Sequence, residues 1–107
     1  MEKRISLFEV FGNNIITRNS MEDFFEEINS LKSNKIVLDF KKITFISRSC
    51  ADEYLKQRKA IKKQIVEANM PDNICKMFSL VNRQYKKEGL NIVKIIPKCK
   101  TNSLIIS

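Results

Sequence analysis

Apolar positions along the chain fall into two patterns, short β-prone runs and longer stripes in which the spacing is three or four residues. The runs predict strands, whereas the stripes predict helices with one buried face. We expect segments 5–11 and 15–18 to form a hairpin around the turn at 12–14. Segment 35–40 contains three consecutive apolar residues, which is typical of a strand buried on both faces. The remaining predicted strands are 64–68 and 92–96.

Three apolar stripes predict the helices. The first helix is expected to begin at Ser20, whose hydroxyl forms a capping box with Asp23. Ser49 and Asp52 form the same pair at the second helix. The third helix is expected to follow Asp72 and to stop at Gly89. The inward-facing residues are Met21, Phe24, Phe25, Ile28 and Leu31, then Ala51, Tyr54, Leu55 and Ile61, and finally Ile74, Met77, Phe78, Val81 and Tyr85.

The order of these elements predicts the architecture. Strands that alternate with helices within 107 residues favour one α/β domain spanning 1–107, built on a mixed β-sheet. Three main helices are too few to cover both faces of such a sheet, so we expect them mostly on one face. The segment 104–106 either pairs at a sheet edge or frays.

The charge distribution adds two open interpretations. The net charge is +8, yet residues 1–40 carry five Lys/Arg against seven Asp/Glu (−2), while residues 41–107 carry fifteen against five (+10). A basic half of this kind suits nucleic acid or an acidic protein partner. The alternative is a lysine-rich, solvated surface that binds nothing in particular.

The compartment is predicted from what the chain lacks. No run reaches the roughly 18 apolar residues of a membrane span, and the first residues do not resemble a signal peptide. We therefore expect a cytoplasmic protein with no membrane partner. The cysteines Cys50, Cys75 and Cys99 are odd in number and lack the paired spacing of a zinc site, so we expect reduced, buried thiols and no metal or other cofactor.

Few residue types suited to catalysis are present. The chain has no histidine, and its two glycines lie too far apart for a phosphate-binding loop. Asp39 closes a buried strand, where it is either a site residue at the mouth of the sheet or a structural acceptor for loop amides. Cys50, at a helix start, is either a reactive thiolate or, as we favour, a small buried thiol. We expect no enzymatic activity.

The segment Ser47-Arg48-Ser49 lies where an apolar segment, 43–46, leads into the second helix. Two hydroxyls and a guanidinium at a helix amino terminus suit an anion such as phosphate. The alternative is ordinary helix capping by Ser49, which by itself accounts for a serine there.

The order of these strands, helices and motifs resembles that of the STAS-like domain family of unknown function. That family is related to the STAS domains of sulfate transporters and anti-sigma factor antagonists. The resemblance is carried by 36–40 (IVLDF) and 43–53 (ITFISRSCADE), with Phe11-Gly12 and Thr17-Arg18 upstream. It covers the chain from about Phe8 to the third helix. It implies a sheet-and-helix fold that docks onto a partner through the start of its second helix.

In anti-sigma factor antagonists, the equivalent stretch is aspartate, serine, serine or threonine, and glycine, and the hydroxyl before the glycine is phosphorylated by the partner kinase. Ser47 matches the aspartate, Arg48 the first serine, Ser49 the phosphoacceptor and Cys50 the glycine, so Ser49 alone keeps the residue type. The resemblance implies that Ser49 is a phosphorylation site.

The leading hypothesis is therefore a non-catalytic regulatory module that binds a protein through Ser47, Arg48, Ser49 and Asp52. The resemblance implies a histidine-kinase-like ATPase or an anti-sigma factor as the partner. Arg18 and Asp39 are further candidate polar site residues. The alternative is a small basic nucleic-acid-binding protein, although only five arginines accompany fifteen lysines and base recognition favours arginine. The sequence does not predict the oligomeric state.

Overall fold

The computed structural model describes residues 2–87, apart from the side chain of Lys86. The α/β class predicted from the sequence is confirmed, with strands and helices alternating throughout this part of the chain. Several predicted features lie outside the described residues. They are the helix stop at Gly89, the segments 92–96 and 104–106, and Cys99. The elements are β1 (Glu2–Ser6), α1 (Leu7–Phe11), β2 (Asn14–Ile15), α2 (Arg18–Ser30), β3 (Lys35–Asp39), β4 (Phe45–Ile46), α3 (Arg48–Ala60), β5 (Gln64–Ala68) and α4 (Asp72–Lys87).

The strands form two parallel ladders. Three strands pair in the order β1-β3-β5, and β2 pairs with β4. Each pair is joined by a connection that contains a helix, as parallel pairing requires. No antiparallel pair occurs within residues 2–87, so the antiparallel component of the expected mixed sheet is not seen in this part of the chain.

One face of the three-stranded ladder carries the core. Ile36 and Leu38 of β3 and Ile65 of β5 belong to the main cluster of buried apolar side chains. Val37 and Val66, which alternate with them and so point to the opposite face, lie outside that cluster. The helical stripes of α2, α3 and α4 complete the same cluster, which places these three helices mainly on one face.

The predicted amino-terminal hairpin is wrong. Strand β1 ends at Ser6, whose hydroxyl accepts a hydrogen bond from the Glu9 amide (3.3 Å) and caps the short helix α1. Gly12 follows α1 at φ 77°, a left-handed conformation that glycine adopts without a steric penalty. Segment 5–11 was predicted to be a strand because an apolar run this short is compatible with either a strand or a helix.

The cysteine expectation is met at one of the two described positions. Cys50 is a free thiol with no exposed surface. Cys75 is also buried, but it is disulfide-bonded, so a reduced thiol is the wrong prediction there. Within residues 2–87, no helix combines the length and the apolar composition needed to cross a membrane.

Candidate docking site at the start of helix α3

Ser47 anchors the junction between β4 and α3. Its backbone is extended (φ −73°, ψ 158°), and its hydroxyl accepts a hydrogen bond from the Cys50 amide at 3.2 Å. The same hydroxyl donates to the carbonyl of Ile16 at 2.9 Å, while the Ser47 amide donates to the carbonyl of Ile15 at 2.9 Å. Ser47 is therefore the residue that caps α3, and it also fixes the helix start to the end of β2.

The predicted cap at Ser49 is wrong by two positions. Ser49 lies in the first turn of α3, where its side chain is exposed and its hydroxyl approaches that of Ser47 at 3.4 Å. Arg48, the first residue of the helix, is also exposed and forms no ion pair within residues 2–87. The first turn thus presents a cation and a hydroxyl to solvent.

Asp52 belongs to a different cluster, which includes the candidate Arg18. Its carboxylate accepts hydrogen bonds from Arg18 (3.2 Å) and from the Tyr85 hydroxyl (2.5 Å), and it forms an ion pair with Lys56 (3.2 Å). Arg18 also contacts Glu53, at 3.4 Å. Two predicted site residues are therefore close together, but their groups are used to connect α2, α3 and α4.

The electrostatics of this cluster follow from its contacts. Burial opposes ionisation of Asp52, but the Tyr85 hydrogen bond and the charges of Lys56 and Arg18 outweigh it and lower the pKa of that carboxyl. Burial and the neighbouring Asp52 carboxylate raise the pKa of Tyr85. At neutral pH, the ionised Asp52 carboxylate is therefore bound by the neutral Tyr85 phenol and by the cations Arg18 and Lys56. These contacts connect α2, α3 and α4 and so have a structural role.

Asp39 fits the structural interpretation. Its carboxylate accepts hydrogen bonds from the Lys41 amide (3.0 Å), the Asn69 side chain (3.0 Å) and Arg4 (3.1 Å). Burial works against ionisation here too, but these three donors prevail and lower the pKa of the carboxyl. Asp39 joins the ends of β3 and β5 to β1, and no contact within residues 2–87 connects it to the start of α3.

Cys50 is not a reactive thiol in this structure. Burial raises its pKa, and this effect exceeds the opposing hydrogen bond at Ser47 and the charge of Arg18. A thiol that stays protonated is a weak nucleophile. No group of three or more metal-ligating side chains is placed to hold an ion in the described part of the chain.

Sequence reasoning missed a buried charged network between α3 and β5. Glu67 has no exposed side-chain surface, and its carboxylate accepts hydrogen bonds from Arg58 Nε (2.6 Å) and the Tyr54 hydroxyl (2.5 Å). Burial and the Glu67 carboxylate raise the pKa of Tyr54 well above its ordinary value. The available signal was the period of two in β5, because Glu67 falls on the same strand face as the core residue Ile65.

This network also reduces the positive charge that segment 56–63 presents to solvent. The five cations of that segment are Lys56, Arg58, Lys59, Lys62 and Lys63. Arg58 points inward to Glu67, and Lys56 is paired with Asp52. Lys63 donates to the carbonyls of Leu31 (2.6 Å) and Ser33 (2.7 Å). Only Lys59 and Lys62 of the five remain exposed without such a contact in residues 2–87.

Comparison with models of known protein families, with curated protein sequences and with solved structures finds no match to this chain.

Proposed function

We propose that this protein is a non-catalytic regulatory module that docks onto a protein partner through the first turn of α3. The observation that most directly supports the proposal is that two nearby serines have different roles. Ser47 caps the helix, whereas Ser49 is exposed and its only hydrogen-bonding contact within residues 2–87 is Ser47 at 3.4 Å. Helix formation therefore does not account for a hydroxyl at position 49.

The surroundings of Ser49 suit a protein interface. Arg48 is exposed beside it, and Phe45 of β4 leaves 45% of its surface in water. Exposed aromatic and arginine side chains are enriched at protein contact surfaces, where they supply most of the binding energy. Phe45, Arg48 and Ser49 define what we call the α3 docking surface.

Phosphorylation of Ser49 would act directly on this surface. A phosphate adds about −2 of charge at neutral pH, and the amino terminus of a helix stabilises an anion. Arg48 offers a cation for it at the neighbouring position. The modification would therefore leave α3 folded while reversing the sign of the charge that a partner contacts.

The partner implied by the resemblance is a histidine-kinase-like ATPase or an anti-sigma factor. The experiment is calorimetric titration of the protein against such an ATPase encoded near its own gene, with Ser49→Glu and Arg48→Ala as variants. Binding by the wild type, weakened about tenfold or more by each variant, is the expected result. Arg83→Ala is the matched control, because Arg83 is an exposed arginine on α4.

Two outcomes would contradict the proposal. One is the absence of measurable binding to any such ATPase or anti-sigma factor. The other is binding that responds equally to Arg48→Ala and Arg83→Ala, because the contact would then be general attraction to a basic protein. A steep fall of DNA or RNA binding with salt in a gel-shift assay would instead support the nucleic-acid alternative.

Intact-mass analysis of the protein isolated from its native cell tests the phosphorylation step separately. An addition of about 80 Da that is removed by phosphatase and maps to Ser49 is the expected result. An unmodified mass under every growth condition would contradict this step and leave docking through α3 to be judged by the titration.

A further inference from the structure

A second candidate surface is a groove whose lining residues include none of Phe45, Arg48 and Ser49, although one lining residue, Asn14, pairs with Phe45 across the two strands. It has a volume of about 440 Å³ and runs between α1, β2 and α2. Pockets of roughly 300–1,000 Å³ accommodate small ligands or a few side chains. Its lining residues are Val10, Phe11, Asn14, Ile16, Thr17, Ser20, Asp23, Phe24 and Glu27.

The apolar part of this groove is partly open to water. Val10 and Ile16 are 47% and 57% exposed, although both are large aliphatic residues. Beneath them, the rings of Phe11 and Phe24 pack edge to face with centroids 5.3 Å apart. The groove therefore has a firm aromatic floor and two exposed aliphatic walls, a surface that gains free energy when an apolar side chain covers it.

The charged part of the groove is acidic. Asp23 and Glu27 lie four residues apart on α2, on the same side of the helix, and both line the groove. Like charges at this spacing destabilise a helix. Neither carboxylate has a cationic partner, and no lysine or arginine lines the groove within residues 2–87.

The neighbouring surface reinforces the negative sign. Glu9 of α1 and Glu22 of α2, the chain neighbours of the lining residues Val10 and Asp23, are exposed. The one cation of α2, Arg18, is directed to Asp52 and Glu53 of α3. Lys42 lies over the Phe8 ring of α1 at 5.3 Å, but the charged side chains that line the groove itself are both acidic. An acidic lining around apolar side chains favours positively charged ligands.

We propose that this groove binds a basic segment of a partner protein, a short stretch with one aromatic or aliphatic anchor flanked by lysine or arginine. The anchor would lie on Phe11 and Phe24 between Val10 and Ile16, and the cations would pair with Asp23 and Glu27. This inference goes beyond the proposed function and does not depend on it.

The test uses the full chain and a defined array of labelled twelve-residue peptides, each with one phenylalanine or leucine and four lysines or arginines. Sister peptides carry serine in place of the anchor or glutamate in place of the cations. Fluorescence anisotropy is measured against the wild type and three variants. Ile16→Ser should weaken binding of the best peptide about tenfold, because a central apolar contact is lost. Glu27→Lys should weaken it about fivefold, because one attraction becomes a repulsion.

Glu26→Lys is the matched control, since it makes the same charge change on the same helix outside the groove. It should alter binding by less than about twofold. Amide chemical shifts that move on peptide addition at 10–27 and not elsewhere would support the proposal without any variant.

Several results would overturn it. One is an array in which no peptide binds better than its sister peptides. Another is equal weakening of binding by Glu26→Lys and Glu27→Lys. Equal binding by anchored and serine-substituted peptides would reduce the effect to charge alone. A wild-type dimer that Ile16→Ser and Glu27→Lys dissociate would make a second copy of this chain the occupant in place of a separate basic segment.

Discussion

Arg48 and Arg58 lie on the same helix, α3, and have opposite surroundings. Arg48 is exposed at the first turn and forms no ion pair within residues 2–87. Arg58 is 19% exposed and holds the fully buried Glu67 carboxylate at 2.6 Å. The residue type is the same, so the difference comes from what the sheet presents opposite each position. A buried carboxylate faces Arg58, and solvent faces Arg48.

This difference separates structural charge from charge that is available for binding. Glu67 needs Arg58 because an unpaired carboxylate in the core is costly. No described carboxylate makes a similar demand on Arg48. Its guanidinium is therefore free to contact a partner or a phosphate, which is the basis of the α3 docking surface.

The largest expected effect comes from removing the buried cation. Arg58→Met leaves Glu67 in the core with only the Tyr54 hydroxyl, and the loss of one partner of a buried ion pair costs roughly 3–5 kcal/mol. Chemical denaturation of the variant measures the change in the free energy of unfolding. Arg48→Met, the matched control, should change that free energy by no more than about 0.5 kcal/mol.

A double variant sharpens the same comparison. Arg58→Met combined with Glu67→Gln should regain a large part of the lost stability, because the buried group is then neutral and still accepts the Tyr54 hydrogen bond. Equal stability of the Arg48→Met and Arg58→Met single variants would contradict the distinction between the two arginines.

A smaller effect separates the two serines at the start of α3. Ser47→Ala removes the oxygen that accepts from the Cys50 amide, and the loss of such a cap costs about 1 kcal/mol. Ser49→Ala removes a hydroxyl that the helix does not use, so its free energy of unfolding should stay within about 0.5 kcal/mol of the wild type. Thermal unfolding of both variants gives the comparison, and a larger loss for Ser49→Ala would return the capping role to Ser49.

The same two serines illustrate how far sequence reasoning reached. The strand-to-helix junction at 47–49 was placed correctly, but the cap was assigned to the wrong hydroxyl. Both serines satisfy the local rules for an N-cap. The choice is made by the carbonyls of Ile15 and Ile16, which are more than thirty residues away along the chain and hold Ser47 through two hydrogen bonds.

Long periodic stripes were predicted more reliably than short runs or paired charges. Met21, Phe24 and Phe25 of α2 and Tyr54 of α3 are buried as their helical spacing required. The five residues of α1 contain too little periodicity to distinguish a helix from a strand. Buried charge was missed because Arg58 lies in a run of cations, and only the position of Glu67 on β5 explains why one of them turns inward.

The smallest expected effect concerns acid stability and the cluster at Asp52. Its folded pKa lies below the ordinary value of 3.8, so the folded protein holds fewer protons at this group than the unfolded chain as the pH falls through that value. The stabilisation is fully present above about pH 5 and is lost as the pH falls through 3.8 towards the lowered pKa. Between about pH 5 and pH 3, Asp52→Asn should therefore lose less stability than the wild type, by at most about 1 kcal/mol, the size of partly exposed pairs.

Urea unfolding across this pH range measures the difference. Asp39, whose pKa is also lowered, contributes to the acid sensitivity of both proteins, so the difference between the two curves isolates Asp52. Arg48→Met should retain the wild-type curve, because Arg48 has no carboxylate partner within residues 2–87. An Asp52→Asn curve parallel to that of the wild type would show that Arg18, Lys56 and Tyr85 do not favour the ionised acid. Asp52 would then be available to contribute to the α3 docking surface. It would belong with Arg48, whose charge is available for binding, and not with Arg58, whose charge stabilises the fold.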